Sequence, residues 1–179
     1  MESRRHQLAD GRILLVREAE AEDARSVLDY VNVISGESDF LSFGPGEFEL
    51  TESDEEEFLH KCQASDNQIY MLGMIDDALV STLSFSGGRR PRLRHSGEFG
   101  ISVLKAYWGL GIGSLMLDAL IKWARETGVV KKINLRVRTD NRRAIRLYEN
   151  KGFVIEGTIR KEILLHGQYY DHYWMGLQL

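Results

Sequence analysis

The chain has 179 residues, 43% of them hydrophobic and 28% charged, with a formal net charge of -4. That length suits one domain with a sizeable core, and the negative balance gives no global attraction to nucleic acid or to an anionic membrane. A single cysteine, Cys62, excludes an intrachain disulfide framework and a cysteine-based metal cluster; no metal site is expected.

The polar start, Met1 to His6, does not read as a secretory signal, and no apolar run approaches the roughly 18 residues of a membrane-spanning helix. A single cytoplasmic domain over residues 1–179 is therefore expected. Arg12 to Ala19 reads as a strand, and Glu22 to Ser35 as a helix in which Ala24, Val27, Leu28, Val31 and Ile34 recur at helical spacing. Residues 36–50 carry Phe40, Phe43 and Phe48 without a period, which predicts an ordered loop. Thr51 then stands as N-cap of a helix whose first turn is acidic, suiting the positive end of the dipole. Gln68 to Asp76 and Ala78 to Gly88 predict a hairpin turning at Asp76 and Asp77, and His95 to Lys105 a further strand. A helix is expected from about Gly111 to a C-cap at Gly128. After it come a strand at Lys131 to Arg138, with Ile133, Leu135 and Val137 inward, and a short helix closed by Gly152. Phe153 to Leu165 and Gln168 to Leu177 complete a long hairpin about His166 and Gly167.

The stretch AYWGLGIGSLML, residues 106–117, sets Gly109, Gly111 and Gly113 at the mouth of a helix. Glycines there leave backbone N–H groups unshielded where the helix dipole adds positive potential, an arrangement that cradles phosphate. A tight strand-to-helix turn would also use glycine. The triphosphate loop G-x-x-x-x-G-K-[ST] is excluded because no lysine follows. The dinucleotide pattern G-x-G-x-x-G fails at Ser114, and Lys131 and Lys132 occupy the place of its acid.

These residues resemble the GNAT superfamily of N-acetyltransferases, whose acetyl-coenzyme A loop reads [QR]-x-x-G-x-[GA]. Here the loop is WGLGIG, Trp108 to Gly113, with tryptophan in place of glutamine or arginine. That replacement resembles the branch acting on polyamines and ribosomal-protein N-termini. Asn141 to Phe153, NRRAIRLYENKGF, is similar to the family segment N-x-x-A-x-x-L-Y-x-x-x-G-F at every named position. The resemblance covers about Ile13 to Leu179. It implies an α/β fold with a mixed, mainly antiparallel sheet, splayed where acetyl-CoA inserts and carrying helices on both faces.

For the site, the resemblance implies that backbone N–H groups of Trp108, Gly109, Leu110, Gly111, Ile112, Gly113 and Ser114 hold the pyrophosphate of acetyl-CoA. Ile101, Ser102 and Val103 would lie along the pantetheine arm, and Asn141 would bond the arm or nearby backbone. Tyr148 is the candidate general acid for the departing thiolate; apart from the motif, a tyrosine on such a helix packs a core. Glu98 alternates with Phe99, Ile101 and Val103, so its carboxylate is expected on the substrate side as a candidate base, acting through water because a carboxylate is a weak base for an ammonium. Arg142, Arg143 and Arg146 reach the phosphates or face solvent.

The expected function is acetyl transfer from acetyl-CoA to a primary amine by direct attack, on a small molecule or a peptide N-terminus. The alternative is a non-catalytic acyl-CoA binding or sensing module. Glu52 to Glu57, Glu98 and the aromatic hairpin would suit a cationic acceptor. The competing reading makes the acids a helix start and the rings a homodimer seam. His166 is expected as a turn residue and His172 as a packed imidazole.

Overall fold

The computed structural model describes residues 1–179. Eight strands form one sheet in the order β1-β2-β3-β4-β5-β6-β8-β7. They are β1 Arg4–Gln7, β2 Ile13–Glu18, β3 Gln68–Ile75, β4 Ala78–Gly87, β5 Ser96–Val103, β6 Lys132–Arg138, β7 Val154–Leu165 and β8 Gln168–Gln178. Four α-helices accompany them: α1 Ala24–Glu37, α2 Glu52–Gln63, α3 Ile112–Thr127 and α4 Arg142–Asn150. Every strand pair is antiparallel except β5 with β6.

The expected elements form where the local chemistry places them. Asp76 and Asp77 adopt φ of 49° and 63°, the left-handed pair that a tight hairpin turn requires, and so join β3 to β4. The Thr51 hydroxyl accepts the Asp54 N–H at 3.2 Å while the Asp54 carboxylate accepts the Thr51 N–H at 3.1 Å, a reciprocal box that starts α2. His166 and Gly167 turn β7 into β8 with φ of 50° and 79°. Arg4 to Gln7, which lie outside every expected element, form an additional strand. They pair with Ile13 to Val16 at the sheet edge, and their outward charges carry no hydrophobic alternation.

Strand alternation divides the core between the two faces. Ile69 and Met71 join a cluster of 25 buried residues with α3 and α4, whereas Tyr70 and Leu72 join one of 10 with α1 and α2. The α1/α2 layer therefore has the smaller apolar anchor. No helix is long and apolar enough to cross a membrane.

Candidate active site

The parallel junction is short. β5 pairs with β6 only from Ser96–Glu98 to Lys132–Asn134, and Asn134 closes that end by donating from Nδ2 to the Gly97 carbonyl at 3.0 Å and Ser96 Oγ at 2.9 Å. Beyond Glu98 the strands part. Gly88 N–H donates to Ser96 O and Leu104 N–H to Val80 O, each at 3.0 Å, so the even-numbered residues of β5 exchange their bonds with β4. Ile101 and Val103 consequently turn their N–H and C=O groups into the gap. Only the Val103 carbonyl is occupied, by the Trp108 indole N–H at 2.7 Å. Backbone groups left open along a strand edge are a template for an extended amide-bearing ligand.

The gap leads to the glycine loop. Gly109 and Gly111 hold φ of 86° and 81°, which a side chain would strain. No N–H from Gly109 to Ser114 reaches a backbone acceptor, and the first bond of α3 is Leu115 N–H to Gly111 O at 3.2 Å. The result is a run of free donors at the positive end of α3. Gly113, besides its free N–H, has a packing role. A Cβ there would lie 3.2 Å from Leu147 Cδ2, so its smallness lets α3 approach α4. Trp108 departs from the expected donor run, because its own N–H is taken by the Lys105 carbonyl at 3.2 Å. Its indole fixes the end of β5, and the Arg143 guanidinium lies 5.3 Å from its ring centre.

Asn141 caps α4, its Oδ1 accepting the Ala144 N–H at 3.2 Å. Two turns on, the Tyr148 ring packs at 5.8 Å from Phe99 and 6.1 Å from Phe153, so it belongs to the core and to the cleft wall at once. Burial pushes its hydroxyl pKa up, which keeps the proton on at neutral pH. Glu98 lies in the wall as well, held by the Arg136 guanidinium at 2.7 and 3.3 Å; Arg136 also bonds Glu162 at 2.9 Å. Ser102, facing the α1 side, hydrogen-bonds the Tyr30 hydroxyl at 2.9 Å and thereby ties α1 to β5. Of the three arginines, Arg142 and Arg143 line the cleft, and Arg146 is exposed outside it.

All these groups open on one cleft of about 1230 Å³. Its far end is walled by Phe40, Phe43, Phe48, Phe58 and Tyr70. Arg138 clamps this end. It pairs with Asp140 at 2.7 and 3.0 Å, donates to the Asp39 carbonyl at 2.8 Å, and lies over the rings of Phe40 and Tyr170. The C-terminal hairpin contributes less than its rings implied. Glu162, Ile163 and His172 reach the cleft, while Tyr169 is exposed and Tyr170 stacks on Arg138. Sequence reasoning also missed how two groups would be buried. Glu55 is 2% exposed, its carboxylate has no hydrogen bond or ion pair, and burial raises its pKa. His172 packs as expected, but its Nδ1 has no partner, and burial lowers its pKa against the opposing pull of Glu162. The spacing Glu55, Leu59, Cys62 does place that carboxylate on the buried stripe of α2, a signal hidden within the acidic run.

Comparison with known proteins places the chain by family and fold. A model described as "Acetyltransferase (GNAT) family" matches residues 37–153. An L-amino acid N-acetyltransferase of Escherichia coli (strain K12) is 35% identical over 105 residues, 59% of this chain and 65% of the relative. A spermidine N(1)-acetyltransferase of Vibrio cholerae is 30% identical over 79 residues, 44% of this chain and 46% of the relative. The match thus spans between about half and two thirds of these relatives' lengths. The crystal structure of an acetyltransferase of the GNAT family from Streptococcus pneumoniae superposes with a TM-score of 0.90 at 37% identity, covering 93% of this chain and 99% of that one.

Proposed function

Because the chain belongs to the acetyltransferase (GNAT) family, we propose that it moves an acetyl group from acetyl-CoA to a primary amine by direct attack. The observation that carries this reading is the meeting of two sets of free backbone donors: the open edge of β5 and the N–H run from Gly109 to Ser114. A pyrophosphate suits the second set, and the amides of a pantetheine arm suit the first. Ser102 lies between the two edge residues, with its side chain engaged on the opposite face.

Acetyl-CoA supplies the activated acyl group as a thioester. The chain supplies position and protons. The Ile101 or Val103 N–H donates toward the carbonyl oxygen as negative charge develops on it. The Tyr148 hydroxyl, kept protonated by burial, would give its proton to the departing sulfur, and the proton shed by the acylated nitrogen would return to the phenolate through water. Glu98, oriented by Arg136, accepts a proton from the incoming ammonium through water, so that the amine attacks as a free base. An amine acceptor is supported by the relatives named for L-amino acids and for spermidine.

The cytoplasm is the proposed setting, and a second copy is the proposed partner at the edge strand β7, where Val154, Ile155 and Leu164 are exposed together with Tyr169 on β8. Sedimentation at micromolar concentration should give a dimer; a monomer removes that part of the reading. The catalytic proposal is tested by following coenzyme A release over a panel of amines. Acetylated product with at least one primary amine is expected. Tight acetyl-CoA binding with no release for any of them would establish the sensing module instead.

A further inference from the structure

The α1/α2 side of the cleft holds a carboxylate without a counter-charge. Glu52, Ser53, Asp54, Glu56 and Glu57 all face solvent, whereas Glu55 turns inward among Phe58, Tyr70 and the aromatic loop. A largely buried carboxylate without a counter-charge costs stability, and because Glu55 lines the cleft, a cationic ligand there would complete it. The cations nearby are already matched: Arg136 with Glu98 and Glu162, Arg138 with Asp140 and a carbonyl. The open charge at this end is therefore negative, and the rings around it present faces that attract a cation.

Position gives the second half of the inference. Tyr70, whose hydroxyl feels the Glu55 charge, pairs in register with Ser84, and Ser84 with Gly100 on β5. Two strand spacings, about 10 Å, thus separate the Glu55 end from the strand that opens on the gap.

We infer that Glu55 is an acceptor-specificity residue, binding a second cationic group on a substrate whose reacting amine lies several methylenes away. The inference rests on the acetyltransferase reading of the cleft and adds the substrate class: diamines and longer polyamines rather than monoamines or simple α-amino acids. Glu55 forms a charge-assisted hydrogen bond with the remote ammonium, and the aromatic wall covers the alkyl chain between the two nitrogens.

The test is a binding measurement that needs no turnover. Calorimetry with 1,6-diaminohexane and with hexylamine is carried out on the full chain and on Glu55→Gln. The wild-type chain should bind the diamine at least tenfold tighter than the monoamine, and Glu55→Gln should abolish that difference while leaving acetyl-CoA affinity unchanged. Equal wild-type affinity for the two amines, or a diamine affinity unaltered by Glu55→Gln, overturns the inference. Thermal unfolding supplies the second readout: removing an unpartnered buried carboxylate should raise the Tm of Glu55→Gln, and a fall would make Glu55 a structural group and overturn the assignment as well. Absence of coenzyme A release with every amine would instead defeat the acetyl-transfer proposal, with the binding result still standing or falling by itself.

Discussion

At the scale of single residues, Tyr148 separates packing from chemistry. Tyr148→Phe keeps the ring between Phe99 and Phe153 and deletes only the hydroxyl. Turnover with an identified amine should fall about 10²-fold at unchanged Tm; a rate within twofold of wild type would leave Tyr148 a packing residue. His172 makes a pH prediction. Its folded-state pKa is lowered, first by burial, so the unfolded chain takes up the proton first as pH falls. Its neutral form is accommodated fully above the unfolded pKa of about 6.5, and stability declines below that value as pH drops toward the folded pKa. Urea midpoints at pH 7.5 and 5.5 should therefore differ in the wild type and converge in His172→Gln. The placement of Gly109, Gly111, Asn141 and Tyr148 on one cleft was legible in the sequence because their spacing is local to one loop or one helix, whereas the bond that takes the Trp108 N–H was not. Glu55 and His172 were not, because their isolation depends on which neighbours other elements bring: α2 lays one of several acids against β3, and β8 sets an imidazole into the wall between β6 and β7.

At the scale of elements, two nearby glycines should behave differently. Gly111→Val forces a branched side chain into left-handed backbone at a cost of about 1–2 kcal/mol and disturbs the donor run, so acetyl-CoA affinity should fall at least tenfold. Gly113→Val meets Leu147 and should lower Tm by pushing α3 from α4. Calorimetry and thermal unfolding on both variants check the division; equal effects on affinity and Tm in the two would contradict it. For β5, the alternation predicts amide exchange by residue. The Ile101 and Val103 N–H groups should exchange quickly in the free protein and slow on acetyl-CoA binding, while Gly100 and Ser102, bonded to β4, remain protected throughout. The strand itself was readable from its composition. Its separation from β6 was expected only through the family resemblance, as a splay; the point of parting, after three paired residues, could not be read from the strand itself because it depends on the twist of a partner more than 30 positions away.

At the scale of the whole molecule, a ligand wedged between β5 and β6 joins the two parts of the sheet. Acetyl-CoA at about 100 times its Kd should add about 2.7 kcal/mol, raising Tm by about 5–10 °C for a chain of this size. No shift in a thermal scan would count against the cleft as its site. Every strand but β1 was readable from apolar alternation and turn residues; the charged residues of β1 showed no sign of pairing. The far wall of the cleft has a further consequence. Phe40, Phe43, Phe48, Glu55 and Phe58 come from one uninterrupted stretch between α1 and β3, whereas the loop, Asn141 and Tyr148 come from the second half of the chain. The acceptor wall is thus largely a removable cassette, bounded by a helix and a strand anchored in the rest of the fold. Exchanging residues 38–67 for the matching segment of a relative should transfer the choice of amine while leaving the affinity for the acyl donor with the recipient chain.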